Sequence, residues 1–380
     1  MRKHLLAAAL LATLAGCQNS DAPSSPSATT EQAGQSQADA QFAELSKKAL
    51  DTWMQLSPVS ATQIGDHRYD AELDDLSAAG QQKGLEASKA LLAELDRIDT
   101  SKLGRENQVD AAILRNQLQS DIWGNETLQS WQWDPQVYTG LAGSAIYGLM
   151  AREFAPLPER LKSATARIEK IPQIFAAARA NLDPARVPKI HAETVAKQNR
   201  GILSLVETFI VPKIGQLEAA DQERLKAAIA TLTTAVEEQQ TWLDKTLVPN
   251  AKGEFRIGAE KYDQKLKFSL NSSLSRAEIG ERARAELTRV RKDMYGIAQV
   301  VLKDKPGAPE MPADPTDEQQ QKAIEAALEL AYADKPARDK VVDDAKAALD
   351  QSTEFVRTHD LVTLPDAPVD KIGRASCRER

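Results

Sequence analysis

Histidine is the side chain most often asked to serve as general base, nucleophile activator or metal ligand, because its charge changes near neutral pH. This chain has four among 380 residues: His4, His67, His191 and His359. His191-Ala192-Glu193 sets an imidazole close to a carboxylate. A zinc helix of the H-E-x-x-H type needs a second imidazole one turn further on, so that both point from one face with a glutamate between them. Position 195 is Val, so His191 reads as a helix-surface or packing residue. Asp66, Asp70, Asp74 and Asp75 have the ligand chemistry for a hard cation, yet the stretch lacks the glycine and closing glutamate of a calcium loop. It reads as a solvated, turn-forming acidic face. Trp123, Trp131, Trp133 and Tyr138, with Gly140 and Gly143 after them, could line a pocket or form aromatic core at a helix junction, and the second is the simpler reading. The chain has no G-x-S-x-G elbow, phosphate-binding loop or dinucleotide glycine fingerprint. The expectation is that it contains no catalytic residue, no metal ligand and no cofactor of its own.

The elements carrying these residues are helical. Apolar residues fall at 42, 45, 49, 53 and 56, three and four apart, until Pro58 stops the run. The period returns in Leu85, Leu92, Leu95 and Ile98, in Leu161, Ile168, Ile171 and Phe175, from Leu225 to Leu243, and from Ile279 to Val301. A last pair of helices is expected near 317–332 and 336–358, the first capped by Thr316 or Asp317. Aromatic residues make up only 5%, and Ala, Leu, Gln, Glu and Lys recur, which is helix usage rather than sheet usage. The expected fold class is all-α, an array of about nine amphipathic helices. At most a short β excursion is expected near 253–258, where Gly253-Glu254-Phe255-Arg256-Ile257-Gly258 alternates polar and apolar between glycines. A net charge of -7, with basic and acidic residues alternating along helix faces, excludes nucleic acid as a main partner.

Residues 1–17, MRKHLLAAALLATLAGC, begin with Arg2 and Lys3, continue through an apolar run too short to span a bilayer, and end in small residues before Cys17. This is expected to be a signal peptide whose last four residues resemble the bacterial lipobox. Cys17 would then carry the lipid, and several acyl chains at about 0.8 kcal/mol per buried CH₂ make a lasting anchor. Gln18 in place of Asp after the cysteine points to the outer membrane, on the periplasmic side. Residues 18–38 are Ser, Thr, Gln, Ala and Pro with hardly a large apolar side chain, and are expected to form a disordered tether. The helical domain is expected over 39–370. The only two cysteines, Cys17 and Cys377, fall outside it, so its body has neither disulfide nor thiol chemistry.

Two segments carry a likeness to a known family. Pro58-Val59-Ser60-Ala61-Thr62-Gln63-Ile64-Gly65-Asp66-His67-Arg68-Tyr69-Asp70, continuing to Asp75-Leu76-Ser77, resembles the opening of the bacterial family called domain of unknown function 885. Ile257-Gly258-Ala259-Glu260-Lys261-Tyr262-Asp263-Gln264-Lys265-Leu266 resembles a later part of it, and the likeness covers residues 40–370. It implies a mostly helical, exported or lipid-anchored protein similar to zinc metallopeptidases. In that chemistry Zn²⁺ lowers the pKa of a bound water to about 7 and a glutamate takes its proton. The family's metal site is a His-Glu-x-x-Pro-Gly-His-His-like segment downstream of the region matched, and no such segment occurs in this chain. Zinc is therefore expected of the full-length family protein, and this chain is expected to be its inactive N-terminal part, truncated before the metal-site region. Gly65, His67, Tyr69, Gly258 and Tyr262 match family positions and are expected to be structural or cleft-lining. Membrane lipid through Cys17, and peptides in the intact protein, are the implied partners. The alternative is a helical binding or scaffold lipoprotein of the envelope without enzymatic activity. The last nine residues, Ile-Gly-Arg-Ala-Ser-Cys-Arg-Glu-Arg, resemble a translated sequencing adapter, so 371–380 is expected to be an artefactual tail.

Overall fold

Pro58 divides the first helical run, as its ring and missing N–H require. The first helix, α1, is Ser27–Leu56, and Pro58 starts the short α2, Pro58–Ile64, where a proline at the first position is tolerated. The computed structural model describes residues 27–333 and 335–365. The expected signal peptide with Cys17 and the basic tail lie outside the described residues. The chain divides into two units, Met1–Ser273 and Leu274–Arg380.

The first unit continues with α3 (Ala78–Leu95), α4 (Arg105–Trp123), α5 (Gln136–Met150), α6 (Leu157–Asn181), α7 (Lys189–Gln198), α8 (Gly201–Phe209), α9 (Ala219–Trp242), the single turn α10 (Val248–Asn250) and α11 (Ala259–Leu270). The second unit holds α12 (Arg276–Val301), α13 (Asp317–Ala333) and α14 (Val341–Thr358). The fold is all-α. Twelve helices of nine residues or more are described, against the nine or so expected. One source of the difference is α5, which buries Tyr138, Ala142, Ala145, Ile146, Leu149 and Met150 and so shows no amphipathic stripe to count.

Two further expectations change. The helix α1 reaches back to Ser27, inside the stretch assigned to a tether over 18–38. Its alanine and glutamine content suits a helix, and Ala38, 6% exposed, already packs in a cluster with Phe42. The β excursion at 253–258 reduces to one parallel bridge between Pro188 and Gly253. Gly253 N–H donates to Val187 O at 2.9 Å, and a Cβ there would sit 1.9 Å from Arg186 O. Backbone lies against backbone at this point, and only glycine leaves room.

Packing in the first unit centres on α6, flanked by α5 and α9. Leu161, Ile168, Ile171 and Phe175 are buried with Ile146, Leu225 and Leu232 in the larger core, while Phe42, Leu45, Leu91, Leu95 and Leu118 form a second one between α1, α3 and α4. In the second unit Tyr295, Ala298, Leu302 and Ala323 pack α12 against α13. Ser275 and Glu278 form a reciprocal capping box at the start of α12, and Thr316 Oγ1 accepts from Gln319 N–H at the start of α13. No described helix is long and apolar enough to cross a membrane.

Candidate functional site

The segment that resembles the family opening is folded around one guanidinium. Arg167 on α6 is fully buried. Its Nε donates to Glu72 O at 2.9 Å, one terminal nitrogen to Ala145 O at 3.2 Å, and the other to Pro58 O at 3.0 Å and Thr62 Oγ1 at 2.7 Å. The Thr62 hydroxyl donates to Asp70 Oδ1 at 2.6 Å, and Asp70 Oδ2 lies 3.0 Å from His67 Nδ1. The His67 ring stacks on Phe154 at 3.7 Å between centroids. Burial lowers the pKa of Arg167, and the negative charges of Asp70, Asp74 and Glu72 oppose that shift. The fork of five donors is what allows one side chain to tie α2, the 66–77 segment and α5 to α6.

The motif residues are used in this clasp. Gly65 ends α2 with φ +96°, a left-handed cap that a side chain strains. Gly65→Ala should cost about 1 kcal/mol in urea unfolding without altering any ligand contact. Tyr69 contributes its carbonyl, accepting from Glu72 N–H at 2.9 Å. Gly258, with φ +84°, begins α11, and Tyr262 is half exposed one turn along it. The structure thus places Gly65, His67 and Tyr69 together, with Gly258 and Tyr262 on a separate element.

The acidic stretch is not the solvated face its composition suggested. Asp70 is 8% exposed, and Asp74 accepts from Val59 N–H at 3.0 Å. Asp66 does form a turn, capping the short helix at 67–69 while pairing with Arg68, and Asp75 accepts from Ser77 N–H. An Arg167 hidden in the core draws the carboxylates inward. The signal for it was present: 167 lies three residues after Ala164 and four before Ile171, on the buried face of α6.

A cavity of about 1120 Å³ opens between α1, α3, α4 and the 73–76 segment. Asp74 and Asp121 both line it, and burial pushes each carboxyl above its ordinary range. The only opposing influence resolved on Asp121 is Gln117 Nε2, which donates to it at 2.7 Å. Because the folded state holds that proton more tightly than the unfolded one, the ionised carboxylate costs stability. The cost enters as pH rises through the carboxyl range and is absent at lower pH. Asp121→Asn should therefore be more stable than the parent at neutral pH, with the gap closing as pH falls in thermal unfolding scans. Across the lining, Asn125 Nδ2 donates to Gln81 O at 3.2 Å.

The aromatic group divides between the two readings open to it. Tyr138 is core, its hydroxyl donating to Trp131 O at 2.6 Å, while Trp131 lines the cavity and its indole N–H has no acceptor among the described residues. Trp133 stacks on His191, and Trp123 donates to Gln264. His191 Nδ1 lies 3.4 Å from Asp134 Oδ1. Each of these two histidines faces one carboxylate, and no group of three or more His, Cys, Asp or Glu among the described residues could hold a metal ion. These residues do not fit a zinc centre, which needs three protein ligands and an open position.

Fold and site together define an all-helical protein whose signature segment builds a scaffold beside a ligand-sized cavity. The chain belongs to the family of bacterial proteins of unknown function DUF885, whose model matches residues 58–379. That match runs past Lys371 and so does not itself set off the tail. A solved structure described as a "putative lipoprotein of unknown function" from Shewanella oneidensis is similar, with a TM-score of 0.70 and 28% sequence identity. The likeness covers 87% of this chain and 63% of that one. No curated protein matches this chain.

Proposed function

We propose that this chain is an exported, lipid-anchored protein of the cell envelope, corresponding to the N-terminal, non-catalytic part of a zinc-dependent peptidase. The observation carrying this reading is the use of the family segment 58–77: Pro58 O, Thr62 Oγ1, Tyr69 O and Glu72 O accept from Arg167, Asp70 accepts from Thr62, and His67 faces Asp70. The lipoprotein description of the Shewanella neighbour, and its greater length, support it. Cys17 is the lipidated residue and the outer membrane, on its periplasmic side, the location. Metabolic labelling with a radioactive fatty acid should mark the parent and not Cys17→Ala. A labelled Cys17→Ala protein would refute the anchor.

A second reading, a binding or scaffold lipoprotein without any metal chemistry, is favoured by the cavity, which is built entirely within the first unit. Reading the genomic DNA beyond codon 370 separates the two. An H-E-x-x-H-type helix in the continuing frame is the result expected of the peptidase, and a natural stop close to that codon supports the scaffold instead.

A further inference from the structure

The cavity of the first unit is apolar in its walls and acidic in its charge. Trp53, Met54, Leu85 and Ile113 supply apolar surface, and Ile113 is 55% exposed on α4 because it faces this space and not the core. Exposed aliphatic and aromatic side chains sharing one concavity mark a place for an apolar ligand. Four carboxylates, of Asp74, Asp75, Asp110 and Asp121, line the same space against one ammonium, Lys83. Asp75 and Asp110 are exposed to solvent and Asp74 faces the charge of Arg167, which leaves Asp121 as the partly buried carboxylate with no cation against it among the described residues. A carboxylate held away from water recovers its lost solvation best from a cation that also donates hydrogen bonds. The carboxylates do not converge in a metal-ligating group of three among the described residues. The volume, about 1120 Å³, lies above the roughly 300–1,000 Å³ usual for a single small molecule, and so has room for several residues of a chain.

We propose that this cavity binds a short peptide segment carrying an ammonium or guanidinium group next to an apolar side chain, with Asp121 receiving the cation. The proposal rests on the cavity alone and needs no metal, so it stands or falls separately from the peptidase reading. The test titrates the full chain, in the presence of a chelator, with acetyl-Leu-Lys-Leu-amide and with the same peptide carrying norleucine for lysine. Tryptophan fluorescence reports binding, since Trp53 and Trp131 line the cavity. The lysine peptide should saturate and bind about tenfold more tightly than its neutral counterpart, as one charge-assisted bond implies. Asp121→Asn should erase that preference, and Glu106→Gln, on α4 but outside the cavity, should keep it. Equal affinity for the two peptides, absence of saturation by the lysine peptide, or an undiminished preference in Asp121→Asn would overturn the proposal. The comparison of peptides on the parent chain decides the matter even where the variant does not fold. Hydrolysis of either peptide would count only against the reading of this chain as a non-catalytic part and would leave these affinities unchanged.

Discussion

Arg167→Ala should lose about 3–5 kcal/mol of the stability of the first unit, the range for removing one partner from a buried, hydrogen-bonded charge cluster. The truncation leaves Glu72 O, Ala145 O, Pro58 O and Thr62 Oγ1 without their donor and strips the positive charge from Asp70 and Asp74. It also opens a void between α2, α5 and the 66–77 segment, which α6 cannot close without disturbing its own buried packing. For a unit of this size the melting temperature should fall on the order of 10 °C. Arg167→Lys should recover only part of the loss. An ammonium keeps the charge but cannot reach acceptors on three elements from one plane. Calorimetry of the three proteins checks both statements, and a lysine variant as stable as the parent would show that charge, not the fork, holds the clasp.

Gly253→Ala should cost about 2–4 kcal/mol, more than an alanine normally costs a loop, because the cause is a collision and not backbone preference. The added Cβ would lie 1.9 Å from Arg186 O and 2.3 Å from Arg186 C, both of them main-chain atoms with no rotamer to turn. Relief requires parting the 184–188 segment from 252–253, which breaks Gly253 N–H to Val187 O and Lys252 N–H to Pro184 O. Val187, fully buried, and Ala251, 7% exposed, belong to the larger core and would be drawn out with them. Urea unfolding should show the loss. Gly84→Ala, at a helical glycine with open space around it, should show none.

Helices were legible wherever burial is one-sided. Phe42, Leu45 and Ala49 keep their period and are buried, as are Leu161, Ile168, Ile171 and Phe175. On α12 the period was right and the face was displaced. Ile297 and Val301 are exposed, whereas Tyr295, Ala298 and Leu302 are buried, because Ala323 of α13 packs over that edge of the helix. Apolar spacing gives a stripe, and the partner helix decides which edge of it is covered. The site was less legible for a different reason. Asp74 and Asp121 come together in one cavity from the loop before α3 and the end of α4, a juxtaposition that exists only after folding. Arg167 was readable in principle from its place on an apolar face, but a single arginine in a helix usually snorkels to water, and only the five acceptors gathered around it by α2, α5 and the 66–77 segment reverse that preference. Gly65, His67 and Tyr69 were recognisable as a motif, and folding brings them together at the same clasp.

Hydrolysis of a mixed peptide pool by the purified chain, measured with added zinc and again with a chelator, tests the central claim most directly. On the proposal that the residues of the family segment serve architecture, the rate should equal the uncatalysed background in both conditions, and His67→Ala and His191→Ala should not change it. Turnover that zinc supports, a chelator abolishes and either histidine variant removes would contradict the account.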